Sequence, residues 1–347
     1  MSATMGTGVI ARSARECLAL GRASVAPALR TAVDTLPGPM RRLAGYHFGW
    51  WDEHGQVSTN GASGKAFRPA LVLLSAEAVG GLSAEALPAA VAVELAHNFS
   101  LIHDDVMDGD HTRRHRRTVW SVFGIGDAIL VGSSLQTLAF EVLSRSKHHA
   151  AAAGQHILAT AIQALLAGQS TDLAFERRLD IAVVECLQMV ENKTGALLGS
   201  ACALGASFGG GTPDQVLRLR QFGETLGLAF QHADDLLGIW GDPEVTGKPV
   251  FSDLRNHKKS LPVVAALRSP TTPGRELAEV YRRDSALTSE ELVHVADLID
   301  RAGGRAWSEA QAGQLLERAT RHLSADLAPR SIAELSAVAR LVADRNH

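Results

Sequence analysis

The chain has 347 residues, 46% of them hydrophobic and 20% charged; that excludes intrinsic disorder, which needs low hydrophobicity and a large net charge. Lys and Arg number 34 against 37 Asp and Glu, for a formal charge of −3, so no global pull toward nucleic acid or anionic lipid exists. The three scattered cysteines, Cys17, Cys186 and Cys202, make neither a disulfide framework nor a Cys-based zinc site, and a reduced, cytoplasmic setting is expected.

No run approaches the roughly 18 apolar residues of a membrane span, the longest candidates being broken by Glu94 and by Ser133, Ser134 and Gln136. The short apolar run 6–11 before Arg12, Arg15 and Glu16 is not the pattern of a secretory signal. Residues 1–13 are expected to form a flexible tail. Apolar residues then recur at helical spacing over 66–79, 84–106, 127–143, 157–166, 182–206 and 213–239, and again over 287–299, 306–323 and 332–342. Ser83, Thr212 ahead of Pro213, and Ser289 leading Glu290 and Glu291 stand where N-caps belong. Alternating strand-type runs are nearly absent, so the predicted class is all-α. The breakers at 209–213 and 269–274 are turn-sized, so 14–347 reads as one large helical domain, although about 150 residues per domain would suggest two.

Two acidic motifs carry the chemistry. In His103-Asp104-Asp105-Val106-Met107-Asp108, positions i and i+4 lie about 40° apart on one helix face. Asp104 and Asp108 therefore sit side by side, with Asp105 turned away. Such carboxylates repel unless a cation lies between them. Mg²⁺ suits this, because it takes oxygen ligands and usually binds through one or two carboxylates plus substrate phosphates. The second motif, Gln231-His232-Ala233-Asp234-Asp235-Leu236-Leu237-Gly238, also closes an apolar helix. One such motif would pass for a solvated helix end; two facing each other make a pocket for a diphosphate bridged by Mg²⁺.

Cations stand at suitable places: Lys65 and Arg68 one turn apart, Arg113 and Arg114 five residues past the first motif, Lys193 before Thr194, Lys248, and Lys258-Lys259. Each alone would be an ordinary surface charge. Together they supply Arg for bidentate contacts and Lys as point charges, as two diphosphates require.

With these segments in order, the chain resembles the trans-isoprenyl diphosphate synthases, the family of farnesyl and geranylgeranyl diphosphate synthases. The matching stretches are Gly64-Lys65-x-x-Arg68-Pro69, the first aspartate motif with its arginine pair, Gly168-Gln169-x-x-Asp172 and Lys193-Thr194-Gly195, followed by Phe230-Gln231-x-x-Asp234-Asp235 and the run 241–249 ending in Lys248-Pro249. The resemblance implies a helical bundle of the isoprenoid synthase type with a central active-site cavity. It implies Mg²⁺ held by Asp104, Asp108 and Asp234, and an allylic diphosphate held by Arg113, Lys193, Gln231, Lys248 and Lys258. Isopentenyl diphosphate would be bound by Lys65, Arg68, His97 and Arg114. Gln169 and Asp172 match a helix pair lining the site. Lys193, Thr194 and Gln231 would act in catalysis, the last two by directing oxygen dipoles at the allylic cation. A homodimer is implied as well, with the apolar face of 125–140 suited to the interface.

The sequence departs from the family pattern at Gly238, where a third aspartate is usual; Asp242 is one substitute. Trp120 and Ser133 replace a common histidine and a common aspartate. Phe99, five residues before Asp104, and Ser100, four before, match positions that set product length. The wheel alone favours Ser100 for the Asp104 face; the family pattern singles out Phe99. The pattern resembles geranylgeranyl (C20) synthases, with farnesyl (C15) next, starting from dimethylallyl, geranyl or farnesyl diphosphate. Two rivals remain at this stage: a class I terpene cyclase, whose second motif has a different spacing and whose cavity is aromatic where this chain has 5% aromatic residues, and a non-catalytic synthase subunit. The basic run 113–117 is short and lacks interleaved aromatics, so it does not read as a nucleic-acid site.

Overall fold

The computed structural model describes residues 11–58, 66–243, 250–283 and 285–343. Ser13 opens α1 (Ala14–Asp34) with a capping box to Glu16; α2 (Gly38–His47), α3 (Phe67–Ala78) and α4 (Leu87–Met107) follow. A two-residue hairpin, β1 (Thr112–Arg113) and β2 (Arg116–Arg117), separates α4 from α5 (Val119–Phe123), α6 (Ile125–Arg145) and α7 (Ala151–Phe175). Next come α8 (Val183–Val190), a π-helical turn (Glu191–Gly195), α9 (Ala196–Phe208) and α10 (Pro213–Trp240). The remainder is α11 (Ser252–Arg255), α12 (Leu261–Leu267), α13 (Thr272–Tyr281), α14 (Ser289–Arg301), α15 (Gly304–Arg321) and α16 (Pro329–Ala343). The described residues bear out the all-α class.

Local chemistry explains the boundaries, including those that differ from the sequence reading. Ser83 caps nothing, because 82–86 curl into successive turns and α4 starts at Leu87, with Pro88 in its first turn, where no N–H is needed. Thr212 does cap α10, in a reciprocal pair with Gln215. The cap of α14 is Thr288, paired with Glu291, one residue before the expected Ser289. The apolar stretch 182–206 is divided by the π turn, a feature that apolar spacing does not reveal.

α10 packs along α9 and α15, while α4 packs along α6 and also meets α3 and α9. The π turn touches α7, α9 and α10. A large apolar core built on Phe99, Ile102, Leu135, Leu158, Leu197 and Phe222 fills this arrangement, and two smaller clusters lie beneath α11–α14 and around α8. α6 is long and apolar enough to cross a membrane by length and composition alone; 33% of its most apolar stretch is buried. Ile125, Ile129 and Leu130 on α6 are exposed.

Ten residues of the expected tail lie outside the described residues. Arg12 is tied down: its backbone N–H and Nε both donate to Glu334 Oε1 at 2.9 Å, and Nη2 reaches Glu334 Oε2 and Glu77 Oε2. Glu334 is fully buried and also accepts from Arg330 Nε at 2.8 Å. Burial pushes its carboxyl up, but these bonds outweigh burial and bring it down to about 2. Since an unfolded Glu titrates near about 4.3, the stabilisation is complete above that pH and fades as pH falls toward about 2. Glu334→Gln, which leaves Arg12 without its main counter-charge, is expected to cost about 3 kcal/mol at pH 7. Denaturant titrations should show the gap between variant and wild type shrinking below pH about 4.

Candidate active site

The first acidic motif closes α4, with Asp104 and Asp105 in its last turn and Asp108 at the cap, whereas the second lies a turn before the end of α10 at Trp240; neither helix has a basic residue in its last turn. Backbone carbonyls make a helix's C-terminal end negative, so each carboxylate added to the end of α4 is unfavourable by about 0.3–1 kcal/mol. On α4, Asp108 is exposed, Asp104 half-buried and Asp105 buried. Burial pushes the Asp104 carboxyl up to about 7, with Lys193 pulling it down and Asp108 adding to the rise. Burial also raises Asp108, again against Lys193. Asp105 faces away as the helix period requires, and its Oδ1 accepts from Arg113 Nε at 2.6 Å.

On α10 the same division recurs. Asp234 is exposed and Asp235 buried. Asp235 Oδ1 accepts from Gln231 Nε2 at 2.7 Å and Oδ2 from Leu261 N–H at 2.8 Å. Burial pushes Asp235 up to about 7, against Lys258 and these two bonds. Thr194 Oγ1 donates to Gln231 Oε1 at 2.8 Å.

The cations join the two walls. Lys193 Nζ sits 2.6 Å from Asp172 Oδ2 on α7 and acts on both Asp104 and Asp108. Lys258 is held well above the usual lysine range, first by Asp253 and then by Asp235, Asp172 and Asp234, despite its burial; it also pulls on Asp108. Contacts join the two acidic segments through α7 and the π turn: Gln169 Nε2 lies 3.4 Å from Asp108 Oδ1, Lys193 Nζ reaches Asp172 Oδ2, and Thr194 bonds Gln231 on α10, so both segments border one shared polar region. The π turn reaches into it because α7 has Gly168 opposite: a Cβ there would stand 2.4 Å from Lys193 N.

A second cluster lies beside α3 and α4. Arg68 Nη1 is 3.1 Å from His97 Nε2; guanidinium only donates, so this nitrogen accepts. Arg68 and Arg114 both act on the half-buried carboxyl of Glu94, which desolvation nonetheless raises. Glu94 Oε1 accepts from Asn98 Nδ2 at 3.0 Å, and Asn98 Oδ1 accepts from His47 Nε2 at 2.9 Å. Arg114 lines two recesses, one shared with Tyr46, His47 and Asp105, the other with Trp50, Glu94 and Asn98. Arg116, by contrast, is spent on the carbonyls of Tyr46 and Trp51.

Of the sequence-derived site residues, Asp104, Asp108, Lys193, Asp234 and Lys258 act on one another across one polar region, with Thr194 and Gln231 bonded to each other beside it, and Arg68, His97 and Arg114 form the second cluster. Arg113 is paired with Asp105. Phe99 is buried edge-on to His103, with ring centroids 5.8 Å apart, and buried Ser100 donates to His97 O. Lys65 and Lys248 lie outside the described residues. Sequence reading missed the structural partners Glu94, Asn98, His47 and Asp253. Glu94 and Asn98, one turn apart inside an apolar helix, were a visible signal.

Gly238 has a structural reason. A Cβ on it would lie 2.4 Å from Asp253 Oδ2 and 2.8 Å from Oδ1, so the carboxylate of Asp253 fills the space where a third aspartate would begin. Asp242, the substitute considered from sequence, is exposed past the helix end.

The donor set fits a hard divalent cation. All candidate ligands are carboxylate oxygens, and the buried Gln169 Oε1, on the amide whose Nε2 lies 3.4 Å from Asp108 Oδ1, finds no partner among the described residues. No three acidic, His or Cys side chains among the described residues cluster tightly enough to hold a metal alone. Remaining ligands would come from phosphate and water, as Mg²⁺ prefers.

Comparison with known proteins agrees. Residues 54–298 match the polyprenyl synthetase family model. The chain belongs to that family. It is 44% identical over 332 residues to a protein of Mycobacterium tuberculosis named (2E,6E)-farnesyl diphosphate synthase, covering 94% of this chain and 92% of that one. It is 45% identical over 284 residues to a geranylgeranyl diphosphate synthase of the same organism, covering 82% and 81%. The crystal structure of a polyprenyl synthetase from Streptomyces coelicolor superposes with a TM-score of 0.91 at 46% identity, over 94% of this chain and 98% of that one. The protein is an enzyme of the trans-isoprenyl diphosphate synthase type, a prenyltransferase.

Gly238→Asp, which restores the family's usual third aspartate, is expected to lower kcat/KM about ten-fold, on the order of 1.4 kcal/mol, because two carboxylates then contend for one space. Adding Asp253→Ala should recover most of the loss in a steady-state assay. A gain in the single variant would contradict the packing argument.

Proposed function

We propose that the enzyme elongates allylic diphosphates with isopentenyl diphosphate and releases mainly the C20 product, geranylgeranyl diphosphate. What supports the reaction is the juxtaposition of the two acidic segments: Asp108 beside Gln169, Lys193 on Asp172 and Thr194 on Gln231, with Lys258 bearing on Asp108, Asp234 and Asp235, beside a separate Arg68–His97–Arg114 cluster. Asp104, Asp108 and Asp234 would hold Mg²⁺, which would neutralise charge on the leaving diphosphate. Lys193, Lys258, Gln231 and Arg113 grip the allylic diphosphate, with Lys248 from the sequence reading. Arg68, His97 and Arg114, with Lys65, hold the isopentenyl diphosphate.

Heterolysis of the allylic carbon–oxygen bond leaves the electron pair on the diphosphate, where the cations are already in place to receive the charge. The double bond of isopentenyl diphosphate then forms the new carbon–carbon bond, and a proton passes to the released diphosphate. No side-chain nucleophile takes part. Lone pairs on Thr194 stabilise the transient cation.

Ser100 supports the C20 reading: it lies on the Asp104 face and is small, so the chain can grow past it until Phe99 and its neighbours close the way. A C15 product is the second reading, favoured by the 44% identical relative named for farnesyl diphosphate. Chromatography of products from isopentenyl diphosphate with each allylic starter decides between them; a dominant C15 peak from every starter would overturn C20. Phe99→Ala should lengthen the products, and unchanged length would remove Phe99 from the floor.

The exposed apolar side chains of α6 support a homodimer through that helix. Light scattering should find Ile129→Glu monomeric where the wild type is dimeric.

A further inference from the structure

We infer that Asp235 is a positioning residue that fixes the direction of the Thr194 hydroxyl through Gln231. The inference rests on the prenyl-transfer reading above and gives a role to a buried carboxylate that the reaction itself leaves unused. Asp235 is 3% exposed, whereas its neighbour Asp234 is open to solvent. Both of its oxygens are occupied by protein donors: Oδ2 by Leu261 N–H at 2.8 Å, Oδ1 by Gln231 Nε2 at 2.7 Å.

The consequence follows from donor and acceptor identity. In its ionised form Asp235 only accepts, and the structure has Gln231 turn its NH₂ toward Asp235 and its Oε1 toward Thr194. That oxygen can only accept, so the Thr194 hydroxyl spends its single hydrogen on Gln231, at 2.8 Å. Both lone pairs of Thr194 are then free of that hydrogen. Thr194 follows Lys193, whose ammonium bears on Asp104 and Asp108, so an allylic cation arising there meets oxygen lone pairs and not an O–H dipole. Without the anchor the Gln231 amide can turn over, present its NH₂ to Thr194 and release the hydroxyl hydrogen. The π turn makes the contact possible: Gly227 on α10 lies against Gly195, where a Cβ would stand 2.6 Å from Gly195 Cα.

The test is a double-mutant cycle with Asp235→Asn, Gln231→Leu and Thr194→Val, measured as kcat and KM for both diphosphates across a Mg²⁺ titration. Asp235→Asn should lower kcat about 10- to 100-fold, in the range of lost electrostatic preorganisation, while both KM values and the half-saturating Mg²⁺ stay within about three-fold. Residues that act as a unit are non-additive, so Asp235→Asn should cost little more in either the Gln231→Leu or the Thr194→Val background. Additive losses would overturn the inference, as would an unchanged kcat or a raised Mg²⁺ requirement, the mark of a metal ligand. If Asp235→Asn does not fold, the Gln231→Leu and Thr194→Val pair carries the test: non-additive kcat losses support the chain and additive ones overturn it. A wild type without prenyl-transfer activity would instead defeat the underlying reading.

Discussion

Negative charge gathered on two neighbouring helices is the constraint on which the site depends. α4 finishes on carboxylates, at the pole where the helix is already negative, α10 carries Asp234 and Asp235 a turn before its end, and neither has a basic side chain in its last turn. Burial raises Asp104, Asp108 and Asp235 further. Such an arrangement is costly in an isolated fold and favourable only when positive charge lies between the helix ends. Lys193 and Lys258 supply part of it from the protein, and a divalent cation carried with a diphosphate would supply the rest.

The neighbours of each motif divide the work. Asp108 and Asp234 are exposed, while the buried Asp105 and Asp235 each hold a polar side chain, Arg113 and Gln231. Loops carry the remaining cations under backbone strain. Among the described residues six non-glycines have positive φ: Ala66, Arg114, His115, Lys147, Phe251 and His257. Only Lys147 lies away from the site residues. The others flank Arg68, form the tip bearing Arg114, or stand beside Asp253 and Lys258. Strain of this kind, of order 1–3 kcal/mol each, persists where surrounding structure enforces it.

Much of this was legible in the sequence because helical period is a local signal. The spacing of Asp104 and Asp108, the turn of Asp105 away from them, the Thr212 cap and most helix spans follow from it. The missed features depend on contacts between segments distant in sequence. Gly238 reads as a lost ligand until Asp253, fifteen residues on, is found in its side-chain space. The π turn looks like ordinary helix until α7 and α10 press on it. Thr288 and Ser289 are both good caps, and only the fold selects the first. Arg12 looked like part of a tail because its partner Glu334 lies at the other end of the chain.

The most direct measurement is a crystal structure with Mn²⁺ and a thio-substituted allylic diphosphate that resists ionisation, the metal located by its anomalous signal. Manganese bridging a single diphosphate to Asp104 and Asp108 on one side and to Asp234 on the other is the expected result. Metal confined to one wall, or a diphosphate held by arginines alone far from α10, would contradict it.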